Sequence, residues 1–493
     1  MSTIKIENLT FAYPGGADNV FEGLNLQLDS NWRLGLVGRN GRGKTTLLRL
    51  LMGEYEYSGK ISAGVRFEYF PKPAEDASRT LAEVLRASCP DAEDWELERE
   101  LGLLGVDDGA LERPFGTLSN GEQTKAMLAA LFIDRGSFPL IDEPTNHLDA
   151  EGRRRVAAYL SRKRGFILVS HDRSFLDGCV DHILSLNRSG AELRAGSFSA
   201  WYADFEARQA AESAANDRLK KDIARLKQSA ARASEWSDRV EASKKGALDK
   251  GYVGHKAAKM MKRSKSIEAR QNRAAEEKSA LLKDAESAGE LKLSPLIYRS
   301  ETLARFERVS IAYGGRRVCA PVSFEIGRGE RIALSGGNGS GKSSLIKLLL
   351  GAGVPHEGEV RVGSGLEISY VPQDASGLAG SLADFAREGG VDEALFKAVL
   401  RKLGFERAQL ALDMSELSAG QKKKALIARS LCTRAHLYVW DEPLNYIDLW
   451  SRVQLERLIL RFEPSLLFVE HDAAFRRSVA TRTVELQAGD DKA

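Results

Sequence analysis

Two hydrophobic patterns alternate along the 493 residues. The first is a set of short, unbroken apolar runs at 34–37, 138–141 and 166–169, matched later by runs at 332–334, 437–440 and 466–469, with Asp142 and Asp441 directly after two of them. Their length and all-apolar character predict buried strands. The second pattern occupies residues 203–293. Leu219, Ile223, Leu226, Ala230, Ala233 and Val240 recur at alternating spacings of four and three, with Ser237 in the gap, and Met260, Ile267, Ala274, Leu281 and Ala288 recur every seven. These are heptad seams, so each helix requires a partner helix. The glycines of the 246–254 stretch, Gly246, Gly251 and Gly254, mark a turn between them. The pattern therefore predicts an antiparallel helical hairpin, about 60 Å long for residues 203–243 at 1.5 Å per residue.

The strand-bearing parts are written twice. Gly38, Asn40, Gly41, Gly43, Lys44, Thr45 and Thr46 return as Gly336, Asn338, Gly339, Gly341, Lys342, Ser343 and Ser344. Leu118, Ser119 and Gly121 return as Leu417, Ser418 and Gly420; the Asp142–Glu143 pair returns as Asp441–Glu442, and His171 as His471. The offset stays between 298 residues for the lysines and 300 for the histidines. This predicts two α/β domains at 1–202 and 303–493, with a hairpin linker at 203–302.

Each glycine-rich loop follows a predicted strand and opens a predicted helix, the context of a phosphate-binding loop. There the glycines let backbone N–H groups approach phosphates, and the helix N-terminus favours negative charge. Lys44 and Lys342 are placed to meet the β- and γ-phosphates of ATP, and Thr45 and Ser343 to hold Mg2+. Asp142 and Asp441, at the ends of apolar strands, support that ion. Glu143 and Glu442 are placed to polarise the attacking water, and His171 and His471 to sense the γ-phosphate.

Composition narrows the class. No apolar run reaches the roughly 18 residues needed to cross a bilayer, and the N-terminal stretch has no signal-peptide pattern. Cys89, Cys179, Cys319 and Cys432 are far apart, as reduced core thiols of a cytoplasmic protein would be. The chain carries +3 overall, but residues 244–273 hold ten basic and two acidic residues, a local +8. Basic charge confined to one stretch points to a nucleic-acid contact; a solvated coiled coil with its lysines outward is the plainer alternative.

Together these motifs resemble ATP-binding-cassette (ABC) domains. Paired cassettes without a membrane domain and with a basic helical linker resemble the ABC-F ribosome-associated ATPases. The resemblance implies two tandem P-loop ATPase domains that pair within one monomer and sandwich two ATPs head to tail. Lys44 would face Ser418 and Lys342 would face Ser119, with Tyr13 and Tyr313 stacked on adenine. It implies as partners the 70S ribosome, 23S rRNA and P-site tRNA, reached by Lys244, Lys245, Leu248, Lys250, Tyr252, His255, Lys256, Lys259, Lys262, Arg263 and Lys265. The hairpin length, the short arm region and the 22 residues after His471 look most like the antibiotic-resistance branch, and within it the Lsa-type proteins. That branch displaces lincosamides, streptogramin A and pleuromutilins from the peptidyl-transferase centre. A housekeeping ABC-F translation factor without a drug phenotype is the alternative. One departure stands out: the loop that carries Gln373, a magnesium ligand by resemblance, has Lys72 in the first domain.

Overall fold

The computed structural model describes residues 2–14, 19–72, 74, 76–134, 136–146, 148–187, 190–242, 262, 265–267, 269–270, 273, 291–314 and 316–489. By contact density it separates into a body, Met1–Ser199 with Gly289–Ala493, and an arm, Ala200–Ala288.

The first half of the body contains β1 (Thr3–Phe11), β2 (Phe21–Asp29), β3 (Arg33–Gly38), β4 (Ser58–Ser62), β5 (Arg66–Phe70), β6 (Ser137–Asp142), β7 (Phe166–Val169), β8 (His182–Asn187) and β9 (Gly190–Ala195). A small antiparallel sheet has the order β2-β1-β4; the larger sheet runs β5-β6-β7-β3-β8-β9 and is parallel except at β9. The burial pattern follows from sheet type. In β1, Ile4, Ile6 and Leu9 turn inward between exposed neighbours, while all four residues of β7 are buried, as a strand covered on both faces requires. The helix Lys44–Leu51 lies between the two sheets, with Leu47, Leu48, Leu50 and Leu51 in one cluster with Ile6, Leu26, Leu36 and Ile167.

The second half repeats this plan with β10 (Thr302–Tyr313), β11 (Arg316–Gly327), β12 (Arg331–Ser335), β13 (His356–Val362), β14 (Ile368–Val371), β15 (Leu437–Asp441), β16 (Leu466–Val469) and β17 (Arg482–Glu485). Its sheets have the orders β11-β10-β13 and β14-β15-β16-β12-β17. The segment just before β10, placed in the linker by the sequence pattern, packs on this half. Leu291 and Leu293 are buried with Phe385 and Leu426, and the Leu296 N–H donates to Ala435 O at 2.8 Å.

The helix Phe198–Ala242 begins five residues before residue 203, the start expected for the arm. Asn216 is buried, Leu219 and Leu226 are half-buried between exposed neighbours, and Ile223 is half-buried beside half-buried Asp222, the stripe expected of a seam. Lys262 and Lys265 are exposed, and Ile267, expected on the second seam, is 41% exposed. Lys244, Lys245, Leu248, Lys250, Tyr252, His255, Lys256, Lys259 and Arg263 lie outside the described residues. No helix among the described residues is long and apolar enough to cross a membrane.

Candidate nucleotide sites

In a parallel sheet, ligands gather beyond the carboxyl ends of the central strands. Here β6, β7 and β3 are adjacent, with Asp142 level with Val169 and Leu36 level with Val169. The phosphate loop after β3, the acids ending β6 and the histidine after β7 therefore meet at one edge. The second half does the same, with Asp441 and Leu334 both level with Val469.

Each phosphate loop folds back on its lysine. Lys44 Nζ donates to Gly38 O at 2.8 Å, and Lys342 Nζ donates to Gly336 O and Gly337 O at 2.9 and 2.7 Å. Gly43 and Gly341 cap the following helices at φ 83° and 86°. A Cβ on Gly43 would come within 2.7 Å of Val20 and the Phe21 ring, so only glycine fits there. Tyr13 shares a hydrogen bond with Thr46 Oγ1 at 2.7 Å, and Tyr313 OH donates to Ser344 Oγ at 3.1 Å. Both tyrosines keep partly exposed rings, at 42% and 45%, so each is fixed by its hydroxyl while its ring stays accessible.

Glu143 and Glu442 share an uncommon backbone state, φ 52° and 47°, which costs on the order of 1–3 kcal/mol for a side-chain-bearing residue. Their N–H groups are held by Val169 O at 2.9 Å and Val469 O at 3.0 Å. The side chains then differ. His171 Nε2 is 3.4 Å from Glu143 Oε1, which remains buried without a hydrogen-bond partner. Burial, with Asp142 beside it, pushes the Glu143 carboxyl up to about 8. His171 is held well below its ordinary value, by burial first and then by Lys44 and Arg452. Burial also raises the Glu442 carboxyl, but His471, Gln373 and Asn445 outweigh it and hold it at about 2. Asn445 Nδ2 donates to Glu442 Oε2 at 2.6 Å.

The spaces around the lysines differ as well. Lys342 lies in a cavity of about 830 Å³ lined by Tyr313, Ser343, Gln373, Glu442 and His471, and from the other half by Ser119, Gly121 and Asn146. Lys342 and Ser119 thus share one cavity. The cavity at Lys44 is about 220 Å³ and is lined by residues of its own half, with neither Ser418 nor Gly420 among them. Ser418 caps the helix Ala419–Cys432, accepting from the Gln421 N–H at 3.3 Å, and a Cβ on Gly420 would lie 2.5 Å from Tyr446 O. What approaches the first loop instead is the turn after Glu442. Asn40 Nδ2 donates to Tyr446 O at 3.5 Å, and the Asp448 carboxylate partly offsets the burial that lowers the Lys44 ammonium. Asp149 does the same for Lys342.

These two aspartates escaped the motif reading, although each stands seven residues after a strand-end aspartate, a spacing that the internal repeat carries. Three more groups are visible only in space. Lys423 Nζ donates to Pro372 O, Gln373 O and Asp441 O at 2.6, 3.1 and 3.1 Å. Arg153 and Arg452 pair with Asp172 and Asp472 at 3.0 and 3.2 Å, tying the following helix to the histidine loop. Lys72 is exposed.

A hard dication fits the oxygen groups present. Asp441 Oδ1 is buried without a hydrogen-bond partner, and Ser343 bonds the same carboxylate. In the first half Thr45 Oγ1 and Tyr69 OH both donate to Asp142 Oδ2, at 2.8 and 3.1 Å.

The family model described as ABC transporter matches residues 21–146 and 319–445. The chain is 30% identical over 488 residues to the ATP-binding protein Uup of Caulobacter vibrioides, covering 96% of this chain and 75% of that protein. The chain belongs to the ABC family as a two-cassette, ABC-F-type protein. Its cassettes bind ATP and hydrolyse it. The ABC-F chain is also 28% identical over 473 residues to the ribosome protection protein VmlR of Bacillus subtilis, covering 92% of this chain and 82% of that one. It is 29% identical over 492 residues to the probable ATP-binding protein YheS of Escherichia coli K12, covering 90% and 73%. A solved archaeal ribosome recycling factor, aABCE1, shares the fold with a TM-score of 0.65 at 20% identity, covering 98% of this chain and 88% of that one.

Proposed function

We propose that this protein is a cytoplasmic monomer that binds the 70S ribosome through its arm. In this reading it uses ATP to displace drugs of the lincosamide, streptogramin A and pleuromutilin class from the peptidyl-transferase centre. The observation that carries this is the likeness to a ribosome protection protein along 92% of the chain, joined to the +8 stretch at 244–273. The Lsa-type branch remains the finer assignment. Lys244, Lys245, Lys250, His255, Lys256, Lys259, Lys262, Arg263 and Lys265 contact phosphates of 23S rRNA and P-site tRNA, while Leu248 and Tyr252 press on bases near the drug site.

At each nucleotide site Lys44 or Lys342 binds the phosphates. The pairs Thr45 with Asp142 and Ser343 with Asp441, the second joined by Gln373, would hold Mg2+, which when bound neutralises charge on the phosphate oxygens. Glu442, held ionised, orients water and takes its proton, and His471 fixes the carboxylate. Glu143 and His171 have the same roles at the first site once Glu143 is ionised. Closure on ATP selects the form that fits the E site, and hydrolysis releases it.

The test is a resistance profile of cells expressing the chain, with Leu248→Ala and Tyr252→Ala beside the wild type. Protection that changes in level or spectrum while ribosome binding persists supports the reading. Absence of protection by the wild type against every ribosome-targeting drug overturns it in favour of a housekeeping ABC-F translation factor.

A further inference from the structure

Behind the nucleotide cavity at Lys342 lies a second cavity of about 790 Å³. His471 and Arg153 line both, so the two spaces share a wall. One side is the helix Ala150–Ser161 with the start of the helix Arg173–Cys179; the other is the helix Ala473–Val479 and the chain that follows it. Five arginines line this cavity, at 153, 154, 476, 477 and 482, against a single carboxylate, Asp172.

Several of these charges are already satisfied. Arg153 is paired with Asp172 at 3.0 Å, Arg154 with Glu151, and Arg482 with Glu330 at 3.1 Å. Arg476 and Arg477 have no carboxylate partner among the described residues. Arg476 donates through Nη1 to Ser335 Oγ at 3.0 Å while its Nε is buried without a hydrogen-bond partner. Arg477 donates through Nε only to Ala473 O, at 3.2 Å. The hydroxyls of Ser174 and Thr483 add neutral donors, while that of Thr481 is already engaged with Arg331 O at 3.1 Å. The one benzene ring on the wall, Phe175, is 3% exposed, so no face is offered to a nucleobase. Guanidinium forks with hydroxyls and without a stacking platform suit a phosphate oxyanion. The volume, within the range of small-ligand sites, admits a short phosphate chain.

We propose that this compartment is a binding site for inorganic phosphate or pyrophosphate, distinct from both ATP sites. Two sources supply such an anion. Hydrolysis at the adjoining site does so when water adds to the γ-phosphorus and the bond to the bridging oxygen breaks, leaving ADP and orthophosphate; bulk solution is the other.

The test uses the full chain with both phosphate loops filled by magnesium and a non-hydrolysable ATP analogue. Calorimetric titration with orthophosphate and with pyrophosphate is expected to show binding. The pair Arg154→Gln with Arg477→Gln weakens it by about tenfold, with analogue affinity unchanged. Both side chains are exposed, and a melting curve checks the fold; Arg477→Gln alone, which breaks no ion pair, replaces the pair if folding suffers. Single-turnover kinetics then assign the source. Filling from the ATP site predicts that the variant shortens the delay between ATP cleavage and free phosphate. Filling from solution predicts an unchanged delay, with added pyrophosphate slowing the wild type but not the variant. No binding to the loaded wild type, or equal affinity in wild type and variant, overturns the proposal.

Discussion

The two nucleotide sites share one set of motifs but hold their glutamates in opposite protonation states. Glu442 has three polar neighbours, His471, Gln373 and Asn445, and is an ionised base. Glu143 is buried beside Asp142 with an unpartnered Oε1, and is largely protonated at neutral pH. The open cavity at Lys342 admits the other half's Ser119, while the cavity at Lys44 is about a quarter of that volume. Motifs that match except for Lys72 in place of Gln373 therefore give one site with an ionised base and one whose base depends on local rearrangement. Motifs state which groups are present; neighbours decide which protonation state they hold.

The largest expected difference follows from the bases. Glu442→Gln should lower single-turnover ATP cleavage at pH 7 by about 10²-fold or more, the scale of general-base loss. Glu143→Gln should cost several-fold less. Equal losses would mean that ATP binding makes the two sites alike. The double variant should still bind ATP and stay on ribosomes.

A second experiment makes the strong site resemble the weak one. Lys423 ties the Gln373 loop to the strand that ends in Asp441, and the first half has Thr124 at the corresponding place. Lys423→Thr removes charge-assisted hydrogen bonds worth about 1.5–3 kcal/mol each. Turnover at the second site should fall roughly tenfold, with the first site unaffected. Unchanged turnover would make the tether structural only.

The smallest effect is on stability against pH without nucleotide. The folded Glu143 value is raised from 4.5 to about 8, so the stability from keeping it protonated is full below 4.5 and is lost as pH rises towards 8. The Glu442 value is lowered from 4.5 to about 2, so its contribution is full above 4.5 and is lost as pH falls towards 2. Each slope is at most about 1.4 kcal/mol per pH unit. Melting curves of Glu143→Gln should lose the neutral-range slope, and those of Glu442→Gln the acidic one. A neutral-range slope that survives in Glu143→Gln would place the titration elsewhere.

Much of the body was legible from residues alone because its signals are local. A glycine loop between an apolar strand and a helix has one mechanical use, and repetition at a constant offset removes chance. The tyrosines near the start of each half were legible only through resemblance, and their hydroxyl contacts to Thr46 and Ser344 could not be read from spacing. Leu291 and Leu293 looked like linker because an extended segment docked on another surface carries no periodicity of its own.

By itself, then, the sequence determined the two cassettes, the order of their motifs, the heptad positions of the arm and the concentration of basic charge at 244–273. Each is a property of residues near one another in the chain. Tertiary structure alone showed which residues line each cavity, with Ser119 beside Lys342 and, at Lys44, residues of the first half. It also decided that Asp448 and Asp149 reach the opposite lysines, and that five arginines from two halves line one cavity. Those facts depend on burial and on charges hundreds of residues apart; burial raises both carboxyls, and the different neighbours each one meets make one an acid and the other a base.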